Sequence, residues 1–131
     1  MIFIAKTSIK KGNMKLKVVF KKSKNFEIKQ NRIIKYIIIH YTGMKNQAVA
    51  IKRLQSRVAK VSSHYLISKK GKIYQLVEDQ NIAWHAGKSK WEEDINLNSK
   101  SIGIELVNKG NEYFPKDQIG ALLKLLNVLK K

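Results

Sequence analysis

Two side chains stand where ordinary core packing would not put them. His40 closes the run Ile33-Ile34-Lys35-Tyr36-Ile37-Ile38-Ile39-His40 and is followed by Tyr41-Thr42-Gly43. A strand end that opens onto a turn is where a rigid scaffold presents a group to a ligand. Imidazole at such a place is either a zinc ligand or a structural histidine satisfied by its surroundings. Glu105 sits inside Ser101-Ile102-Gly103-Ile104-Glu105-Leu106-Val107. A carboxylate in an apolar strand is costly unless it is paired, hydrogen-bonded or near a metal. Burial raises a carboxyl pKa, which suits a general base. The alternative is an edge-strand glutamate facing solvent. Gly103 is two residues earlier, on the same face, where a missing side chain leaves room for a ligand or another backbone.

Further candidates lie between these two. His64 begins a strand in Ser62-Ser63-His64-Tyr65, and His85 lies in Ala83-Trp84-His85-Ala86-Gly87, with Trp91 nearby. Trp faces suit sugar rings as well as core packing. Each residue also has a purely structural reading. His40, His64 and His85 are 24 and 21 residues apart, which matches no compact zinc motif. With no cysteine in the chain, a thiolate metal site and a disulfide framework are excluded. Neither Gly-rich nucleotide-binding pattern is present, and there is no Gly-x-Ser-x-Gly elbow.

The elements that must position these groups follow from periodicity. The β-branched run 33–40 reads as a strand buried on both faces. Residues 47–60 place Val49, Ala50, Leu54 and Val58 at helical spacing, with Lys52, Arg53 and Arg57 between them. Residues 63–68 and 72–77 flank Lys69-Lys70-Gly71 and predict a hairpin. Residues 78–100 are long for a structureless connection, which marks a functional loop. Residues 101–107 form another strand. Pro115 opens a last helix from 116 to 131 with Ile119, Leu122, Leu123, Leu126 and Val128 as its apolar positions. The order predicts an α/β (α+β) layer fold with a mixed central sheet flanked by helices.

Charge is the other strong signal. The net charge of +18 is concentrated in residues 1–35, where ten Lys and one Arg face Glu27 alone. Such a field attracts polyanions, whether nucleic acid, anionic lipid or wall polymer. Residues 1–31 read as a basic, partly disordered leader before a domain at 32–131, with Leu16–Phe20 able to pair as an edge strand and Met14 as an alternative start. No apolar run approaches the roughly 20 residues of a membrane span. Met1–Ala5 is too short for a signal-peptide core, which points to the cytoplasm, with the periplasm as the alternative for an exported form.

Five segments in order resemble the type-2 N-acetylmuramoyl-L-alanine amidases, relatives of T7-type lysozyme and peptidoglycan recognition proteins. They are Ile37–Thr42, Ser62–Ile67, Gly71–Val77, Ala83–Gly87, and Asn98 followed by Ser101–Leu106. The resemblance implies that His40 is a zinc ligand and Glu105 the catalytic glutamate. It also implies that His64, Trp84, His85 and Asn98 line or shape the substrate cleft. The implied reaction is zinc-dependent hydrolysis of the amide joining N-acetylmuramic acid to L-alanine in peptidoglycan or muropeptides. Family members continue past the last helix into a segment that supplies the second histidine and third ligand. Of three expected ligands, only His40 therefore falls in this chain, and the fold is expected to be incomplete at its C-terminus. A non-catalytic peptidoglycan-binding remnant and a basic nucleic-acid-binding module are the alternatives, though no specific nucleic acid is expected as partner.

Overall fold

A computed structural model describes residues 16–130 and the backbone of residues 3–6. The chain runs through β1 (Phe3–Lys6), β2 (Val18–Phe20), β3 (Phe26–Glu27), β4 (Tyr36–Tyr41), α1 (Gln47–Gln55), β5 (Tyr65–Ile67) and β6 (Ile73–Gln75). It continues through β7 (Ile82–Ala83), β8 (Lys90–Trp91), β9 (Asp94–Ile95), a 3-10 turn (Leu97–Lys100), β10 (Ser101–Leu106) and α2 (Lys116–Leu129). Six strands form one mixed sheet in the order β1-β4-β10-β5-β6-β2. The central pairs β4–β10 and β10–β5 are parallel, β5–β6 is the antiparallel hairpin, and β1 runs antiparallel to β4. The fold is thus the mixed α/β sheet that the periodicity predicts.

The two central strands sort their residues by face. Ile37 and Ile39 of β4 join Ile102, Ile104 and Leu106 of β10 in the main core, with Leu122, Leu125 and Leu129 of α2 packed on them. Alternation then puts Tyr36, Ile38 and His40 on the opposite face, beside Ser101, Gly103 and Glu105. Tyr36 and Ile38 meet the buried Leu97 there. β10 is therefore aliphatic on one side and small or polar on the other, and the second side is the one that can hold a site.

Both helices differ from their predicted form. α1 ends at Gln55, and Val58, expected on its apolar face, is 92% exposed. The reason is capture of the carbonyls at the helix exit. Ser23 Oγ donates to Leu54 O (2.6 Å), and Asn25 Nδ2 donates to Ser56 O (2.8 Å) and Val61 O (2.9 Å). Those bonds turn the chain at Ser56, which is extended. In α2 the buried positions are Gln118, Ala121, Leu122, Leu125 and Leu129, whereas Leu123 is 57% exposed. Gln118 Nε2 donates to Ile67 O (3.0 Å) and Val107 O (3.1 Å), and this rotates the helix face inward at that residue.

Residues 16–27, counted with the leader from sequence, are part of the packed body. β2 pairs parallel with β6 at the sheet edge, as expected for Leu16–Phe20, and Ser23 and Asn25 are buried. The alternative start at Met14 lies outside the described residues, as do residues 1, 2 and 7–15 of the leader expected over 1–31. Among the described residues no helix is long and apolar enough to cross a membrane.

Candidate active site

Parallel pairing of β4 and β10 brings Glu105 into register with His40, so their side chains share the site face. The predicted loop 78–100 folds over this face as three short strands and a 3-10 turn. It carries Trp84, His85 and Asn98. Asp94 pins its outer part, accepting from Lys35 Nζ (3.0 Å), Tyr36 Oη (2.5 Å) and Lys100 Nζ.

His40 and His85 touch directly, His40 Nε2 to His85 Nδ1 at 2.9 Å. His85 Nε2 lies 3.0 Å from Ser101 Oγ. The backbone of the loop is seated by Asn98, whose Oδ1 accepts from His85 N (3.0 Å) and Ala86 N (2.8 Å). Gly103 explains why the ring fits. A Cβ on it would stand 2.7 Å from His85 Nδ1 and closer still to the ring carbons. The vacancy foreseen at Gly103 is thus filled by an imidazole. Gly103→Ala is expected to displace His85 and cost about 1–3 kcal/mol, the usual range for overpacking. Urea unfolding measures the loss, and a variant of unchanged midpoint would mean the ring yields freely.

His64 occupies a different place. It is fully buried, and its Nδ1 accepts from Gly103 N (3.0 Å) while its Nε2 meets Asn81 O (2.9 Å). A backbone N–H fixes Nδ1 as acceptor, so Nε2 carries the proton. Nδ1 is committed to a backbone amide and Nε2 to the Asn81 carbonyl, with Arg32 Nη2 also 3.0 Å from Nε2, and His64 supports the site from outside the residues that line the pocket. Burial, with the Arg32 cation beside it, lowers its pKa to about 3. Burial also lowers His40 to about 4 and His85 well below the usual imidazole range. The histidine cluster is neutral near pH 7.

Sequence reading passed over Arg32. Its guanidinium donates to Asp79 O through Nε (3.0 Å) and Nη2 (2.7 Å), to Ser101 O through Nη1 and Nη2 (both 3.0 Å), and to Asn98 O through Nη1 (3.2 Å). Three segments of the loop and β10 are tied to one side chain.

Glu105 has a buried carboxylate oxygen, Oε2, without a hydrogen-bond partner, and Trp84 Nε1 is in the same condition. Both residues line a cavity of about 120 Å³, with Thr42, Met44, Leu54 and His85 among its walls. Burial raises the Glu105 carboxyl to about 8. Larger clefts exist, one of about 520 Å³ beside β2 and β3 and one of about 670 Å³ beside α2. Neither is lined by a buried, unpartnered polar atom. An unsatisfied acceptor and an unsatisfied donor on two residues that line one small cavity mark the place where a polar ligand or a water would be held.

Comparison with known proteins follows the same residues. A family model described as N-acetylmuramoyl-L-alanine amidase matches residues 30–131. The N-acetylmuramoyl-L-alanine amidase AmiD of Escherichia coli (strain K12) is 43% identical over 84 residues, which is 59% of this chain and 29% of AmiD. The structure of E. coli AmiD with the substrate anhydro-N-acetylmuramic acid-L-Ala-D-γ-Glu-L-Lys superposes with TM-score 0.62 at 34% identity, covering 80% of this chain and 43% of that one. A crystal structure of AmpD gives TM-score 0.72 at 22% identity, covering 84% and 72%, and is a likeness of fold. The chain spans between 29% and 39% of the length of the first curated relatives it matches.

Proposed function

The chain belongs to the N-acetylmuramoyl-L-alanine amidase family, and from that premise we propose that its pocket serves hydrolysis of the amide between the lactyl group of N-acetylmuramic acid and L-alanine in a muropeptide. The observation that carries the reading is the unpartnered, buried oxygen of Glu105, a residue that lines the cavity with His85 and stands in register with His40. In its ionised form Glu105 would accept a proton from the attacking water as that water's oxygen bonds to the amide carbon. It would then deliver the proton to the nitrogen of the leaving L-alanine as the C–N bond breaks. The products are a lactyl carboxylate and a free amine, which balances one water consumed. Trp84, which lines the same cavity and has an unsatisfied Nε1–H, would hold a substrate oxygen.

The family implies zinc. Among the described residues no group of three or more His, Cys, Asp or Glu is placed to hold a metal ion. His40 is the one donor the resemblance assigns, and its Nε2 is engaged by His85. The residues described here do not fit a complete zinc site, so no step above runs through the metal. One imidazole nitrogen of His40 is what they can contribute.

The test is to incubate the purified chain with the anhydro-muramyl tripeptide, with and without added zinc, and follow free tripeptide by mass spectrometry and binding by calorimetry. Release of the tripeptide with a new free amine is the expected result. Saturable binding without release would replace catalysis by recognition alone. Neither binding nor release would overturn the proposal.

A further inference from the structure

The hydrogen bonds around His85 can be assigned a direction, because one member of the set has no choice. Ser101 Oγ lies 2.6 Å from Leu97 O, and a carbonyl only accepts, so the hydroxyl proton is spent there. Ser101 Oγ must then accept from His85 Nε2 at 3.0 Å. A neutral His85 carrying its proton on Nε2 has a lone pair on Nδ1. The partner of Nδ1 is His40 Nε2 at 2.9 Å, which must therefore be the N–H donor. A second proton on His85 would place a cation deep under the loop, where Arg32 already stands beside His64, and such a buried charge is costly.

From this geometry we infer that Ser101 and His85 are positioning residues that fix His40 as the Nε2–H tautomer, leaving Nδ1 as its lone-pair nitrogen. The hydrogen-bonded chain runs from His40 through His85 and Ser101 to the Leu97 carbonyl. Gly103 seats the His85 ring, and Asn98 holds the backbone on which it rides. Leu97 is itself fully buried in the 3-10 turn. The loop thus dictates, through two side chains, which nitrogen of His40 is free to meet a ligand. An outer partner that fixes the tautomer of a ligating or reacting histidine is a recurrent device. In this chain the device ends on a main-chain carbonyl, so it depends on the loop's backbone position rather than on a second carboxylate.

The inference rests on the amidase reading for its use but not for its truth, since tautomers are measured in the chain alone. Two-bond nitrogen–proton correlation spectra of ¹⁵N-labelled protein at neutral pH distinguish the two forms of each ring. The expected result is a single Nε2–H form for His40 and for His85. A His40 in the Nδ1–H form, or an even mixture, would overturn the proposal with no mutant needed. Ser101→Ala removes the acceptor of His85 Nε2–H, and His40 is expected to become a mixture of tautomers. Ser101→Thr keeps the hydroxyl and should restore the single form. An unchanged His40 spectrum in a folded Ser101→Ala protein would also overturn it. Failure of muropeptide cleavage with the expected tautomers would count against the amidase reading and leave this one standing.

Discussion

Replacing Glu105 with Gln is expected to remove amide hydrolysis by a factor of about 10²–10⁴, the usual contribution of a positioned general base, while making the fold more stable at pH 8. The two effects have one cause. The carboxyl is pushed from its ordinary value of 4.5 to about 8 by burial, and its Oε2 has no partner to offset the loss of water. Below pH 4.5 the group is neutral in folded and unfolded chains alike. Between 4.5 and about 8 the unfolded chain ionises while the folded chain holds the proton, so the contribution of Glu105 to stability falls as pH rises through that window and levels off above it. The full penalty is on the order of a few kcal/mol. Glutamine keeps the shape and cannot ionise, so the variant should lack this falling contribution and keep only the rise up to about pH 6.5 that comes from the buried histidines, which the unfolded chain protonates and the folded chain does not. His40 in register on β4, His85 above it and Arg53 in the wall of the same cavity are facing titratable groups, and the two histidines are neutral in the folded chain there. The difference in urea midpoint between variant and wild type, taken at pH 5 and at pH 8, decides the stability arm, because the histidine contribution is common to both proteins. A Glu105→Gln protein less stable than wild type at pH 8 would show that the carboxylate is satisfied and structural. A variant more stable yet fully active would remove Glu105 from the chemistry.

Such a residue was legible in the sequence because β10 alternates. Ile102, Ile104 and Leu106 announce a core face, and the glutamate between them on the other face was open to two readings, a site carboxylate or a solvent-facing side chain. His40 was legible in the same way, at the end of the strand that pairs with β10. The mixed sheet followed from these β-branched runs and the hairpin between them. The loop over the site was not legible in detail. β7, β8 and β9 are two residues each, too short for any period to register. The end of α1 was missed because Ser23 and Asn25, 31 residues before Leu54 and Ser56, decide it through bonds to main-chain carbonyls. The resemblance to a family marked His85 and Asn98. It gave no hint that Gly103 is small for the sake of the His85 ring, because the contact joins two segments that only the folded chain brings together.

Arg32 is the clearest case of a residue hidden in composition, and it carries the second large expected effect. It is the one arginine among ten lysines in residues 1–35, at the first position of the domain expected at 32–131, and was hidden in that basic stretch. Its partners are the carbonyls of Asp79, Asn98 and Ser101, which leave no trace in side-chain pattern. Burial depresses the guanidinium to about 10, with the nearby Asp79 opposing that shift. Arg32→Met would leave three partly buried carbonyls without their donor, and is expected to cost about 3 kcal/mol, given about 1–3 kcal/mol for each buried group left unpaired. Arg32→Lys should recover only part of this, because one ammonium cannot reproduce a planar fork that spans three carbonyls. The loss should not stay at residue 32. Asn98 O is one of the clamped carbonyls, and Asn98 Oδ1 seats the amides of His85 and Ala86. Those two amides should exchange faster in Arg32→Met than the amides of β5, which make no contact with the clamp. Denaturant midpoints give the first quantity and hydrogen exchange the second. A loss below about 1 kcal/mol would mean that water takes over the carbonyls. Full stability loss with unchanged exchange at His85 and Ala86 would mean that Arg32 holds the sheet and not the site.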